Sequence, residues 1–524
     1  MAEEVWMLQT KKADFKQIGA RFRIDPVTAR IIRNRGIKGE AAIDRYLNGT
    51  LDDLYDPMLL KDMERAVSIL CEAVDTGKKI RIVGDYDIDG VCSTYILLQA
   101  FERLGSDVDF EIPDRIKDGY GINESIIEQA HADGVEVILT CDNGISAFHQ
   151  VELAKKYGMT VVITDHHEVP LDGEKEKIPP ADAVIDPKQA DCPYPFPEIC
   201  GAVVAYKLVQ VLYARRGVPQ MEWLDLLEFA AIATVGDVMK LQDENRILVK
   251  YGLKKMAQTK NLGLRRLAEK NNLDLGAITA YHIGFVIGPC LNAGGRLKTA
   301  KEALALLRAQ SEEEAERLAE ELKELNDTRK DMTEQGTEAA KLQVESWYQK
   351  DKVLVVFLPE CHESLAGIIA GRLREYYQKP AIVLTRGEEA VKGSGRSIDE
   401  YHMFKKLTEV SDLLLKFGGH PLAAGLSLEE KNIDEFRRRL NENAGLTEED
   451  FKAKVWIDVP MPVGYVTERL VRELSCLEPF GQGNEKPLFA EKSLRIRASR
   501  VLGRNRNVVK MTLEETDGHA IEAL

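Results

Sequence analysis

The chain has 524 residues, of which 44% are hydrophobic and 30% charged, and its formal net charge is −15. This length exceeds one compact core, so we expect two to four domains, and the ordinary composition excludes a fibrous or low-complexity protein. The acidic balance argues against a histone-like binder of polyanions, although local basic patches are compatible with binding a phosphate chain.

Cysteine spacing and hydropathy indicate the compartment. The eight cysteines form no C-x-x-C pair, and the start of the chain lacks the apolar core of a signal peptide. No apolar run approaches membrane-spanning length, so neither a disulfide framework nor a membrane anchor is expected. A reducing cytoplasm is the expected location.

The first half of the chain reads as helices followed by an alternating pattern. Residues 1–70 predict small helices, and "DPVTARIIRNRGI" resembles a capped helix ended by Gly36. The strand "KIRIVGDYD" and the helix "GVCSTYILLQAFERLG" come next. Further strands are predicted in "SDVDFEIPDR", "VEVILTCDNG", "MTVVITDHHE" and "ADAVIDPKQ". Such alternation implies an α/β fold with a parallel sheet and crossover helices.

The second half contains a linker helix and two further units. Residues 302–348 are rich in Ala, Glu, Leu and Lys and predict a long helix joining two domains, with Leu318, Leu322 and Leu325 on one face. A solvated charged face fits that segment equally well. "KVLVVFL", "HESLAGIIAGRLREYY" and "PAIVLTR" predict a second α/β unit. The β-like runs after about residue 450 predict a small barrel, either truncated or short, because the chain ends before a full one is evident.

The stretch "RIVGDYDIDGVCST" places aspartates at positions 85, 87 and 89, with Gly90 after them. A calcium loop of the EF-hand type requires a bidentate Glu at its twelfth position, which is Ile96 here. The segment before the loop also reads as a β-branched strand and not as an entering helix. An EF-hand is therefore excluded, and a solvated acidic turn explains only this one loop.

Polar residues occur at the ends of several predicted strands, including the strand that precedes Asp85. They are Asp85, Asp87, Asp89, Asp142, Asp165, His166, His167 and Asp186, and Asp237 follows in "IATVGDVMK". Each aspartate alone is readily explained as a helix cap. Together they would converge at the carboxyl edge of one sheet, where carboxylates need cations or their pKa values rise. Asp and His ligands without thiolates suit two Mn²⁺ or Mg²⁺ ions, with Asp142 as the expected bridge.

Three glycine-rich segments in the second half carry phosphate-binding residue types. They are "GPCLNAGGRLKTA", "VKGSGRSID" and "FGGHPLAAGLS", each predicted as a loop, and none matches a P-loop. A tight turn explains any one of them alone. The residues of interest are Arg296, Lys298, Lys392, Ser394, Arg396, Ser397, Gly418, Gly419 and His420. The basic run over residues 492–510 either follows a nucleic-acid backbone or forms a solvated strand face.

The motifs "DYDIDG", "CDNG", "TDHH" and "GD" resemble the successive motifs of the DHH phosphoesterase superfamily. "GPCLNAGGR", "GSGRS" and "FGGHPLAAG" resemble later motifs of its RecJ branch, the single-stranded-DNA-specific 5′→3′ exonucleases. The resemblance implies an N-terminal helical region (1–70), a DHH domain (71–300), a connecting helix (301–350), a smaller α/β DHH-associated domain (351–450) and an OB-like β-barrel (451–524). It also implies digestion of single-stranded DNA from a 5′ end, in recombination and repair.

The same resemblance implies roles for individual residues. The metal ligands would be Asp87, Asp89, Asp142, His166 and Asp237, with Asp85 less settled. His167, Asp142 and Asp165 would form the catalytic group, with His167 either a ligand or a contact to the scissile phosphate. Contacts to phosphate or DNA are expected from Arg115, Arg296, Ser394, Arg396, Ser397, Gly419 and His420.

Two positions depart from the family pattern. Val83 stands where many relatives carry a histidine ligand, and Cys290 replaces an arginine. The resemblance further implies single-strand-binding protein and a RecQ-type helicase as partners. Two alternatives remain at this point, namely a phosphodiesterase of short oligonucleotides, cyclic dinucleotides or pyrophosphate, and a non-catalytic DNA-binding scaffold.

Overall fold

The computed structural model describes residues 4–503 and 506–524. Its first elements are β1 (Glu4–Leu8), α1 (Phe15–Phe22), α2 (Pro26–Asn34) and α3 (Glu40–Asn48). The three helices lie in the region expected to be helical, but β1 contradicts that expectation. It pairs in parallel with a strand near the other end of the chain, with Glu4 opposite Ala453. Because the two paired strands are so far apart in sequence, no local sequence pattern predicts their pairing.

A five-stranded parallel sheet in the order β3-β2-β4-β5-β8 forms the first α/β unit. Its elements are α4 (Met63–Asp75), β2 (Ile80–Val83), α5 (Ile88–Arg103), β3 (Val108–Glu111), α6 (Glu124–Ala132), β4 (Val137–Cys141), α7 (Phe148–Lys156), β5 (Thr160–Thr164), β6 (Leu171–Asp172), β7 (Lys175–Glu176) and β8 (Ala183–Ile185). The predicted parallel sheet is thereby confirmed.

Burial explains why these strands read as continuous apolar runs. Every residue of β2 and of β4 is buried, because helices cover both faces of the sheet. Helix α5 is apolar on nearly all sides and lies inside the molecule, packed between the sheet and the helical segment that follows. The core thereby fixes the carboxyl ends of the strands relative to one another.

The helical segment after the sheet consists of α8 (Gly201–Arg216), α9 (Gln220–Leu224), α10 (Leu227–Gly236), α11 (Asp243–Met256), α12 (Leu262–Lys270), α13 (Ala280–His282), a π-helical turn (Ile283–Ile287), α14 (Gly288–Leu297) and α15 (Lys301–Arg308). "GPCLNAGGRL" is therefore a helix, and its prediction as a loop was wrong. Its glycines serve close packing, since a Cβ at Gly295 would lie 2.3 Å from the carbonyl oxygen of Tyr86. In sequence, glycines that permit packing look the same as glycines that permit turns.

Helix α16 (Glu312–Gln343) confirms the predicted long helix. Leu318 and Leu322 are buried and Leu325 packs partly buried beside them, so the leucine face is a packing face. The opposite edge forms surface ion pairs with α12, for example Lys270 with Glu320 at 2.7 Å. At about 1.5 Å per residue, the helix is long enough to connect two domains. A second π-helical turn (Val344–Tyr348) follows it.

A mixed five-stranded sheet in the order β12-β13-β11-β10-β9 forms the second α/β unit. Its elements are β9 (Leu354–Phe357), α17 (Ala366–Tyr377), β10 (Ala381–Arg386), β11 (Val391–Arg396), α18 (Met403–Thr408), β12 (Leu414–Gly419), β13 (Ala423–Leu428) and α19 (Ile433–Glu442). The other two predicted loops are thus corrected. "VKGSGR" is a strand, and "FGGHPLAAGLS" is a hairpin, because flanking strands supply pairing partners that override the weak strand propensity of glycine.

The C-terminal region contains β14 (Ala453–Ile457), β15 (Val459–Pro460), α20 (Glu468–Leu474), β16 (Phe489–Ala490), β17 (Arg495–Leu502), β18 (Val508–Glu514) and β19 (Ala520–Ala523). The last three strands form an antiparallel sheet, and the described residues contain no closed barrel. Most of β17, with its arginines 495, 497 and 500, is exposed. Arg504, also part of the predicted basic run, lies outside the described residues.

Buried polar contacts join the N- and C-terminal regions to the helical core. Arg35 forms a buried ion pair with Asp458 at 2.7 Å. The guanidinium of Arg246, also buried, donates to the carbonyls of Tyr46, Cys476 and Leu477 at 2.8–3.0 Å. Because an unpartnered buried charge is costly, these contacts fix how the terminal regions sit on the core. In the described part of the chain, no helix is long and apolar enough to span a membrane.

One buried carboxylate in the helical core gives a pH-dependent prediction. Glu228 on α10 is 3% exposed, and it accepts a hydrogen bond from Thr259 at 2.7 Å through one oxygen only. Burial raises the pKa of Glu228 to about 7, whereas an unfolded Glu titrates near pH ~4.3. The folded state therefore binds the proton more tightly, and stability falls as pH rises through this window.

We expect Glu228→Gln to remove this loss of stability. Relative to the wild type, the variant should gain about 2–3 kcal/mol in unfolding free energy between pH ~5 and pH ~8. Denaturant titrations at several pH values measure the difference, and Glu152→Gln on the exposed face of α7 is the matched control. Parallel pH profiles for Glu228→Gln and the wild type would contradict the prediction.

Candidate metal centre and anion pocket

The carboxyl edge of the first sheet collects the predicted acidic residues. Asp85 and Asp87 follow β2, Asp142 follows β4, and Asp165, His166 and His167 follow β5. Asp237 caps the end of α10 at the same place. Strand ends in a parallel sheet meet at one edge, which explains how residues far apart in sequence converge.

Alternating aspartates in "DYDIDG" are typical of an extended strand that continues to Asp89. In the structure the extended backbone ends at Asp87 and a helix begins at Ile88. Asp87 is the N-cap of α5 and accepts hydrogen bonds from the N–H groups of Asp89 and Gly90 at 2.9 and 3.1 Å. Asp89 therefore lies in the first helical turn and is fully buried. Its carboxylate accepts from the N–H groups of Gly201 and Ala202, each at 2.7 Å, at the start of α8. Two helix N-termini thus hold these two side chains in place.

His166 stands at the centre of the acidic cluster. Its Nε2 lies 3.0 Å from Asp142, 3.4 Å from Asp89 and 3.8 Å from Asp237, measured to carboxylate oxygens. Burial lowers the pKa of His166, which favours the neutral imidazole that binds metals. Its Nδ1 is buried and has no hydrogen-bond partner among the described residues.

Asp165 and His167 form a separate pair at the edge of the cluster. The Nδ1 of His167 lies 2.7 Å from Asp165, and Tyr120 places its hydroxyl 3.0 Å from the same nitrogen. Burial alone would lower the pKa of His167, but the bond to Asp165 outweighs it and raises the value to about 9. The other oxygen of Asp165 accepts from the N–H of Ile145, so both carboxylate oxygens have partners and one of them positions His167.

Burial and mutual repulsion disfavour the charged form of the cluster carboxylates. Burial first, and then repulsion from neighbouring aspartates, raises the pKa of Asp85 and of Asp237 to about 8. The same two causes raise the pKa of Asp142 well above its ordinary value. Buried carboxylates in this arrangement need cations between them.

The ligand atoms fit two adjacent cations. They form three overlapping groups with all atoms of a group within 4.8 Å of one another, namely Asp142–His166–His167, Asp89–His166–Asp237 and Asp85–Asp87–Asp142. Asp142 and His166 each belong to two of the groups, and Asp142 is the carboxylate of these two residues. Oxygen and imidazole donors without thiolates suit Mn²⁺ or Mg²⁺.

A cationic cavity of about 640 Å³ lies next to the cluster, between the two α/β units. Arg115, Arg296, Ser394 and Arg396 line it, together with Tyr86, which separates Asp85 from Asp87 in sequence. Arg115 stacks on the ring of Tyr86 at 4.0 Å, and Arg396 donates to Ser394 at 3.2 Å. The predicted phosphate-binding arginines are thus brought together from three different segments.

Electrostatics in this cavity favour an anion. Burial, and then the neighbouring charge of Arg115, lowers the pKa of Arg296 to about 10. Burial also lowers the pKa of Arg396. The one acidic side chain in the lining, Glu363, is already paired with Lys392 at 3.1 Å. A phosphate would relieve this accumulation of positive charge and accept bidentate hydrogen bonds.

Three other predicted contact residues have different environments. The hydroxyl of Ser397 donates to the carbonyl of Tyr401 at 2.5 Å and is 1% exposed, so it does not line the anion cavity. Gly419 ends β12 with φ +147°, and a Cβ there would lie 2.4 Å from the carbonyl oxygen of Ala423. His420 is exposed in the hairpin turn. Lys188 first, and then His420, lowers the pKa of Glu168 beside His167, so the hairpin tip lies near the cluster.

The two departures from the family pattern occupy packed positions. The Val83 side chain is fully buried in an apolar cluster with Ile138 and Ile163. Cys290 lies between α12 and α16, where Asn326 donates to its sulfur at 3.4 Å. Neither side chain contacts the described ligand groups.

Tyr86 and Tyr120 are site residues that the sequence reading missed. Their positions, between two aspartates and in "DGYG" after Arg115, were the available signals.

Comparison with known protein families agrees with this architecture. The chain matches the DHH family N-terminal domain over residues 79–234, the DHHA1 domain over 350–445 and the RecJ OB domain over 457–524. The parallel sheet, its acidic edge and the second α/β unit define a protein of the DHH class.

Relatives that align with nearly the whole chain identify the family within this class. The chain is 34% identical to the single-stranded-DNA-specific exonuclease RecJ of Haemophilus influenzae, covering 96% of this chain and 89% of that protein. It is 37% identical to the RecJ of Bacillus subtilis, of which it spans 64%. The crystal structure of Thermus thermophilus RecJ with Mn²⁺ superimposes with a TM-score of 0.84 and 30% identity, covering 99% of this chain and 73% of that one. The chain belongs to the RecJ family.

Proposed function

We propose that this protein is a metal-dependent exonuclease that degrades single-stranded DNA from its 5′ end to mononucleotides. The observation that carries the proposal is the adjacency of the anion cavity and the acidic cluster. Tyr86 lines the cavity, while its chain neighbours Asp85 and Asp87 belong to the cluster. A terminal 5′ phosphate in the cavity would therefore place the next phosphodiester at the metal-binding residues.

The metal ligands in this proposal are Asp87, Asp89, Asp142, His166 and Asp237, with Asp85 completing the group around Asp87. When bound, two Mn²⁺ or Mg²⁺ ions supply a hydroxide at neutral pH and stabilise charge on the phosphoryl oxygens. Asp142 would contribute to holding both ions. Asp165 and Tyr120 would orient His167, which in this proposal either binds a metal ion or contacts the scissile phosphate.

The strand end is held by Arg115, Arg296, Ser394 and Arg396, which receive the 5′ phosphate. Only an unpaired strand presents its terminal nucleotide alone to a cavity between two domains, which supports the single-strand requirement. His420 and the turn after Gly419 would contact the strand from the hairpin tip. Ser397 has no part in this proposal, because its hydroxyl is occupied internally.

The cellular role follows from membership of the family. We propose a cytoplasmic function in DNA recombination and repair, with single-strand-binding protein and a RecQ-type helicase as partners that supply the single strand. The support is the resemblance over nearly the whole chain to curated RecJ exonucleases. A pull-down with each purified partner, compared with bovine serum albumin, tests these two interactions.

Digestion of end-labelled DNA tests the proposed activity. With Mn²⁺, a 5′-labelled single strand should release its label as a mononucleotide at once, whereas a 3′-labelled strand should shorten progressively. A fully paired duplex and a reaction with excess EDTA are the controls, and both should remain intact. Release of label first from the 3′ end, or equal digestion of the duplex, would overturn the proposal.

A further inference from the structure

Two large aromatic side chains stand exposed beside the acidic cluster. Tyr281 is 63% exposed and Phe285 is 67% exposed. Their rings stack on each other with centroids 4.7 Å apart and an interplanar angle of 28°. An exposed stacked pair of this kind offers flat apolar surface to a ligand.

The local fold holds both rings outward. Ala280, Ile283 and Ile287 form the buried face of the segment, so the positions between them, including 281 and 285, point away from the core. The capping contact between the N–H of Thr279 and the ring of His282, at 3.1 Å, fixes the start of this turn. The two rings therefore project from a helical turn whose opposite face is buried.

Packing connects this aromatic turn directly to the metal-binding elements. A Cβ at Gly284 would contact Val235 on α10 at 3.7 Å, two residues before Asp237. Cβ atoms at Gly236 and Gly288 would both contact Ile88, at 2.6 and 3.3 Å, and Ile88 lies between Asp87 and Asp89. The tightest of these contacts is at Gly236, where a side chain larger than glycine would force Ile88 to move.

The turn also borders the cleft that contains the phosphate-binding arginines. A small cavity of about 100 Å³ is lined by Gly236 and Gly284 together with Arg296 and Arg329. Val238, which follows Asp237, is 66% exposed and is a further exposed apolar side chain next to a cluster residue in sequence.

We propose that Tyr281 and Phe285 form a stacking platform for unpaired nucleobases on the 3′ side of the cleaved bond. This inference rests on the proposed function. The anion cavity lies on the Asp85–Asp87 side of the cluster and holds the 5′ phosphate. The remainder of the strand must therefore leave on another side, and the Asp237 side carries the flat aromatic faces. Stacking is tolerant of sequence, as an exonuclease that moves along a strand requires.

The platform predicts a dependence on substrate length. Phe285→Ala and Tyr281→Ala should each raise the KM for a 5′-phosphorylated dodecanucleotide by about tenfold. Cleavage of a 5′-phosphorylated dinucleotide should be unchanged, because it is too short to reach the rings. Phe285→Trp should retain the wild-type KM. Trp347→Ala, an equally exposed aromatic beyond the end of α16, is the matched control.

The outcomes separate the platform from the exonuclease activity. Failure of the wild type to cleave either substrate contradicts the proposed function. In that case, anisotropy of a labelled dodecanucleotide still tests the platform through the loss of affinity in Phe285→Ala. If Phe285→Ala and Tyr281→Ala leave both the KM and the affinity for the dodecanucleotide unchanged, the rings do not bind nucleobases. That result would overturn the platform and favour a protein contact for the rings. An equal loss on both substrates would also overturn it, because it would show a general disturbance of the cluster.

Discussion

Replacement of Asp142 by asparagine should reduce Mn²⁺-dependent digestion of single-stranded DNA by at least about 1,000-fold, equivalent to about 4 kcal/mol. Asp142 is the carboxylate shared by two of the three ligand groups, so its loss affects both cation positions. Asparagine is the informative substitution because Asp142 has φ +61°, a conformation that asparagine tolerates and alanine disfavours. Alanine should abolish activity as well, with an added cost in stability.

The same variant gives a readout that does not depend on catalysis. Asp142 is buried among other carboxylates, so the metal-free variant should unfold at a higher temperature than the metal-free wild type. Mn²⁺ should stabilise the wild type strongly and the variant weakly. Calorimetric scans with and without Mn²⁺ measure both effects, and Asp172→Asn at the exposed end of β6 is the control. Wild-type digestion by Asp142→Asn would exclude the proposed mechanism.

Loss of the guanidinium of Arg396 should selectively weaken recognition of the 5′ phosphate. Arg396 lines the anion cavity with Arg115 and Arg296, and its Nη1 lies 3.2 Å from the hydroxyl of Ser394. A charge-assisted hydrogen bond contributes about 1.5–3 kcal/mol, so Arg396→Ala should raise the KM for a 5′-phosphorylated strand by about 10- to 100-fold.

A strand with a 5′ hydroxyl group distinguishes this effect from a general one. The wild type should prefer the phosphorylated strand, and Arg396→Ala should lose most of that preference. Arg396→Lys should restore it only in part, because an ammonium keeps the charge without the planar fork. Arg438→Ala, which removes an exposed arginine from α19, is the control. Equal losses on both substrates would contradict a role in phosphate recognition.

Much of the fold could be predicted because its signals are local. The β-branched runs before Asp85, Asp142 and Asp165, separated by helical segments, predict parallel strands with a shared carboxyl edge, and the structure has them. The leucine spacing in α16 likewise predicted a packing face. These features depend on periodicities of two and 3.6 residues, which remain visible in one sequence.

The glycine-rich segments could not be assigned in the same way. "GPCLNAGGRL", "VKGSGR" and "FGGHPLAAGLS" became a helix, a strand and a hairpin, because partners elsewhere in the chain decided their conformation. Gly295 is needed for the approach of α14 to Tyr86, and Gly393 and Gly395 are accommodated within a paired strand. Glycine has little conformational preference of its own, so tertiary contacts determine its role.

By itself, the sequence determined the α/β class, the long connecting helix and the acidic strand ends, since these follow from residue order and hydrophobic period. Only the tertiary structure decided that Asp165 serves His167, that Ser397 points inward and that Tyr86 joins the anion cavity to the cluster. It also decided that the turn carrying Tyr281 and Phe285 packs on α10, which ends at Asp237. These facts depend on side-chain direction and on packing between distant segments, which a linear pattern does not encode.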